Sequence, residues 1–92
     1  MPRLDRLLTR RLKRAAKRRE LSPRESEALQ KVLASDNGIE QFVTEHVVAM
    51  PGCVAAVTAS FKAKSDTPVR DWIKANWMRI LAALVAFALS LL

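Results

Sequence analysis

The chain has 92 residues and a formal net charge of +7, with one His, one Cys, no Tyr, two Trp and three Phe. A single Cys excludes an internal disulfide, and one Cys with one His leaves no four-ligand zinc set of the Cys/His kind. At this length one small unit is the limit, and the scarcity of aromatic rings leaves Ala and the aliphatic residues to do the packing.

The charge is unevenly spread. Residues 1–19 hold nine Lys/Arg against Asp5 alone, a net +8; residues 20–61 are mildly acidic at −4; residues 62–92 return to +3, with no charge after Arg79. In the first block, at 100° per residue, Leu4, Leu7, Leu8, Leu12, Ala15 and Ala16 share one side while most cations take the other, which predicts a basic amphipathic helical arm. Its charged start is not followed by an apolar run of signal-peptide length. The nine cations Arg3, Arg6, Arg10, Arg11, Lys13, Arg14, Lys17, Arg18 and Arg19 are the candidate contacts for an anionic partner. Three roles stay open for them. They can lie on anionic lipid, at about 1 kcal/mol for each cation near the surface. They can hold nucleic-acid phosphates without sequence preference, since residues 1–41 contain no aromatic stacking platform. They can also remain solvated while the Leu stripe packs on a neighbouring subunit.

Ser22-Pro23-Arg24-Glu25 marks a helix start, with Ser22 as N-cap, Pro23 in the first turn and Glu25 closing a capping box. Ala28, Leu29, Val32 and Leu33 follow at helical spacing, and Asp36-Asn37-Gly38 supplies a left-handed stop, so a helix is expected over about 23–35. Ile39, Phe42, Val43, His46 and Val47 resume the period up to Met50-Pro51-Gly52, predicting a helix near 39–49. Val47 to Phe61 is uncharged for fifteen residues. It falls short of the roughly 20 residues that a membrane span needs, and is read as a packed helix. Its small residues Ala55, Ala56, Ala59 and Ser60 suit close helix contact.

Residues 62–67 form a polar linker. Thr67-Pro68 then repeats the N-cap and first-turn grammar, and a last helix is expected to run unbroken over 68–92, since no Gly or Pro follows Pro68. Ile80 to Leu92 is apolar on every helical face except at Ser90, and a helix hydrophobic all round favours burial all round. Thirteen residues rise only about 20 Å against about 30 Å of hydrocarbon, so crossing a bilayer requires the preceding turns as well. Trp72, Lys74, Trp77 and Arg79 are assigned to the membrane interface, where indole rings and snorkelling cations belong. Ile80, Leu81, Leu84, Val85, Phe87, Leu89, Leu91 and Leu92 are assigned to the inserted part. The cations all precede this run, so the N-terminus is expected on the cytoplasmic side of a single-pass or shallowly inserted protein.

The phrase Leu21-Ser22-Pro23-Arg24-Glu25-Ser26-Glu27-Ala28-Leu29-Gln30 is similar to the opening helix of the helix-turn-helix domains of LuxR-type transcription regulators. The resemblance covers ten residues of capping chemistry. Where the recognition helix would follow, Pro51-Gly52 interrupts the chain, and residues 42–54 hold no Lys or Arg to meet DNA. His46, a lone His on a largely apolar helix, is read as a packed or surface residue, and Cys53, without a nearby cation, as an inert buried thiol. No phosphate-binding glycine loop, zinc-protease motif or nucleophile–base pair is present, and neither catalysis nor a cofactor is expected.

The sequence thus describes an all-α protein: a basic arm at 1–19, a small helical segment at 20–61, a linker, and a membrane-anchor helix at 68–92, that is, three short amphipathic or packed helices before a membrane-inserting one. The expected function is that of a non-enzymatic, membrane-anchored structural or assembly subunit. Its expected partners are a lipid bilayer, other subunits of a homo- or hetero-oligomer, and an acidic surface met by the arm. Two alternatives belong to other classes: a holin-like, membrane-disrupting protein, and a membrane-tethered, non-specific nucleic-acid-binding protein.

Overall fold

The computed structural model describes residues 2–91; the Arg3 side chain and Leu92 lie outside the described residues. Every regular element among them is helical: α1 (Pro2–Lys17), α2 (Pro23–Ala34), α3 (Gly38–Phe42), which continues into a π-helical turn (Val43–Val47), α4 (Cys53–Ala63), α5 (Thr67–Ala75) and α6 (Trp77–Ser90).

The start of α2 is built as its sequence specifies. Ser22 Oγ accepts from the Glu25 amide at 3.2 Å, and Glu25 Oε1 accepts from the Ser22 amide at 2.9 Å. After α2, Asn37 adopts the left-handed conformation at φ 58°. Gly38 then passes so close to the preceding helix that a Cβ would collide with the Val32 carbonyl oxygen. Glycine is required there for space. The helix expected over 39–49 is regular only to Phe42. The π turn beyond it closes with Val48 N–H donating to Val43 O at 2.9 Å, and leaves Phe42, Val43 and Val47 all buried.

Residues 53–63 form a helix, as expected, after a turn in which Gly52 takes φ 84° beneath the Trp72 ring. The cap of α5 differs from expectation. Thr67 lies inside the helix, and Ser65 Oγ accepts from its amide at 3.2 Å. From α4, the buried Ser60 Oγ accepts from Val69 N–H at 3.1 Å, satisfying a first-turn donor across the hairpin.

The last helix is not continuous. The chain bends by 74° between α5 and α6. Asn76 sits at the break (φ −109°, ψ 17°), and its side-chain amide donates to Trp72 O at 2.9 Å. An Asn that competes with the backbone ladder in this way weakens a helix locally. The bend lets two stripes share one interior: Val69 and Ile73 of α5 are buried, and so are Ile80, Leu81, Leu84, Phe87 and Ala88 of α6. On a straight helix these positions would share one side, but from Val69 to Ala88 that stripe would run about 28 Å, and the bend folds it onto a single core.

The core is continuous. Leu4, Leu8, Leu12 and Ala15 of α1 join Ala28, Leu29 and Val32 of α2 and the buried faces of α5 and α6. The main seam is α2 against α6, α4 and α5 pair as a hairpin, and α1 packs on α3 and α5. Phe87 meets Phe42 at 5.5 Å and His46 at 5.2 Å between ring centroids. These spacings suit tilted and edge-on aromatic contact. A radius of gyration of 12.6 Å matches the value of about 12 Å expected for a folded chain of this length.

Candidate interaction surfaces

The cations of α1 face outward because the opposite stripe of the helix is committed to the core. Arg10, Arg11, Arg14 and Arg18 form one wall of a cleft of about 430 Å³, and Arg70 and Lys74 of α5 form the other, with Leu7, Ile73 and Glu20 completing the lining. A second cleft of about 310 Å³ shares Leu7 and Arg10 and adds Arg6, Lys64, Ser65 and Asp66. The two clefts lie side by side along α1, and together they are called the groove. Lys13, Lys17 and Arg19 are exposed and lie outside both clefts.

Within the groove Arg11 is held on two sides. Its guanidinium bonds to Glu20 at 3.1 Å and lies over the Trp77 ring at 4.4 Å from the centroid. A cation over an indole face contributes about 0.5–1 kcal/mol at such an exposed site. Trp72 is held elsewhere: its Nε1–H donates to Pro51 O at 3.0 Å, tying the α5 hairpin to the turn before α4. Both indoles therefore have partners within the protein.

Of the interface set, Lys74 lines the groove, Arg79 is exposed, and both Trp residues are half-buried. Of the apolar set, Ile80, Leu81, Leu84 and Phe87 face the core, Val85 is half-buried, and Leu89 and Leu91 face outward. The outer side of α6 also exposes Ala82 and Ala86 and opens with Met78, which is 77% exposed. A helix that covers a core on one side ordinarily carries polar residues on the other. From Ile80 to Ala88 this one carries none. Helix α4 also exposes large apolar side chains, with Val54 55% and Phe61 81% exposed, but Thr58 and Lys62 share its surface.

The remaining titratable groups lie apart from these surfaces. Burial pushes the Cys53 thiol pKa upward and so disfavours the reactive thiolate. His46 is half-buried between Phe42 and Phe87, with Glu45 at 4.0 Å. Among the described residues no group of three His, Cys, Asp or Glu is placed to hold a metal ion.

That Arg70 and Lys74 line a cleft with the α1 cations has no sign in the sequence. Their i,i+4 spacing predicts a shared face on α5, but only the packing of α5 on α1 shows what that face meets. No protein-family model, curated protein or solved structure matches the chain.

Proposed function

We propose that the chain is a small, non-enzymatic assembly subunit that attaches to a membrane and presents its basic face to an acidic partner. The observation that carries this reading is the outer face of α6. Met78, Ala82, Ala86, Leu89 and Leu91 are exposed, and no charge follows Arg79. Contiguous apolar surface of this kind marks an interaction site, whether for lipid or for protein. The net charge of +7 favours an anionic bilayer surface over a neutral partner.

No single helix is long and apolar enough to cross a membrane, whereas α5 and α6 together meet that test as a bent pair. Shallow attachment through the outer face leaves the core intact and is the preferred form. Insertion of the pair as a span is a second form, and it requires both straightening at Asn76 and the removal of α6 from α2. If the pair spans, the cations ahead of the apolar run favour a cytoplasmic N-terminal part.

Flotation with vesicles rich in phosphatidylglycerol tests the proposal. The full chain is expected to float, and Met78→Lys/Leu89→Lys to remain at the bottom of the gradient with an unchanged helical circular-dichroism spectrum. A wild-type chain that does not float contradicts the reading.

A further inference from the structure

We infer that the groove between α1 and α5 binds the phosphodiester backbone of a nucleic-acid strand. This rests on the proposed reading for the existence of an acidic partner, but not on membrane attachment.

The shape of the groove favours a strand. Its two clefts are lined along α1 by Arg6, Arg10, Arg11 and Arg14, eight residues that rise about 12 Å, and Arg18 extends the row past the helix end. Its charges come from two walls, since Arg70 and Lys74 approach from α5. A bilayer offers a plane of headgroups, which Lys13 and Lys17, exposed and off the groove, could meet as well as the groove cations do. A narrow, flexible polyanion can enter between two helices. A linear row of cations matches phosphates repeated along a chain better than it matches a single headgroup.

The groove is also electrostatically available. Eight cations line the two clefts against two carboxylates, Glu20 and Asp66. Glu20 is already engaged by Arg11, whose position is fixed in turn by Trp77. Half-buried Leu7, common to both clefts, gives the face of a sugar an apolar contact. No aromatic residue lines either cleft, so bases have no stacking platform and recognition is independent of sequence.

Fluorescence anisotropy with a labelled oligo-dT strand of about 20 nucleotides tests the inference on the full chain. Arg14→Gln/Arg70→Gln/Lys74→Gln removes three groove cations, and Lys13→Gln/Lys17→Gln/Arg24→Gln removes the same charge elsewhere. At low salt the groove variant is expected to bind about tenfold or more weakly than wild type. Its dependence of log K on log salt should flatten by about 2, at roughly 0.7 for each lost phosphate contact on a single strand. The control variant is expected to stay within about twofold of wild type, and circular dichroism checks that both fold. Equal loss in the two variants, or no wild-type binding at low salt, overturns the inference. A groove variant that keeps oligo-dT binding but no longer floats with phosphatidylglycerol vesicles also overturns it, in favour of lipid headgroups. A wild-type chain that binds oligo-dT without floating supports the groove and contradicts the membrane attachment.

Discussion

Helices α1 and α6 solve the same packing problem with opposite outer faces. Each buries one stripe, Leu4, Leu8, Leu12 and Ala15 in the first and Ile80, Leu81, Leu84, Phe87 and Ala88 in the last. The other side of α1 is a cationic wall, while that of α6 carries one charge, Arg79 in its first turn, among exposed Met78, Ala82, Ala86, Leu89 and Ser90. The inner faces account for the fold. The outer faces are free to differ, and in this protein they differ in the kind of partner they suit.

The comparison is broken most severely from the inside. Phe87→Ala removes a ring that touches both Phe42 and His46, and is expected to lower the unfolding free energy by about 3–5 kcal/mol. Leu8→Ala, at a fully buried position on α1, should cost about 2–5 kcal/mol. Urea denaturation measures both. A loss well below 1 kcal/mol at either site would mean that its helix does not belong to the common core. Against a total of about 5–15 kcal/mol, either change leaves little margin.

Ser22→Ala sharpens the comparison at the α2 seam, on which α6 packs. It removes one half of a reciprocal cap and should cost about 1 kcal/mol. The outer faces should be mechanically silent: Met78→Lys/Leu89→Lys is expected to change unfolding free energy by no more than about 0.5 kcal/mol per site, while abolishing flotation. A large stability loss would show that these residues are core.

The smallest effect is pH-dependent and lies on α1. Asp5 Oδ1 is buried without a hydrogen-bond partner, and burial, reinforced by Glu40, raises the Asp5 pKa above 3.8. The folded state therefore binds this proton more tightly than the unfolded chain does. The associated stability is fully present below pH 3.8 and is lost as pH rises through the folded pKa. Asp5→Asn should accordingly melt slightly higher than wild type near neutral pH. The difference should vanish at about pH 3, where both side chains are neutral.

How far these features could be read in advance depended on whether their causes were local. Ser22, Pro23 and Glu25 lie within one turn, so their reciprocal bonds could be read from spacing alone. The stripe on α1 was legible for the same reason, but its burial within this chain was not, because a stripe does not name what covers it. The break at Asn76 has no local signal, because Asn is tolerated within helices and Val69, Ile73, Ile80, Leu84 and Phe87 keep one helical period across it. From sequence Lys74 reads as a membrane-interface cation, and Arg70 carries no assignment of its own. Their place opposite Arg14 and Arg18 depends on how α5 packs on α1, a long-range contact without a local signature.

The most direct test of the central claim is a polarity-sensitive fluorophore on Leu89→Cys, with Lys17→Cys as the comparison; native Cys53 is fully buried and should not label. On adding phosphatidylglycerol vesicles, the label at 89 is expected to shift to the blue and become inaccessible to an aqueous quencher, while the label at 17 stays exposed. An unshifted, fully quenchable label at 89 would contradict the account.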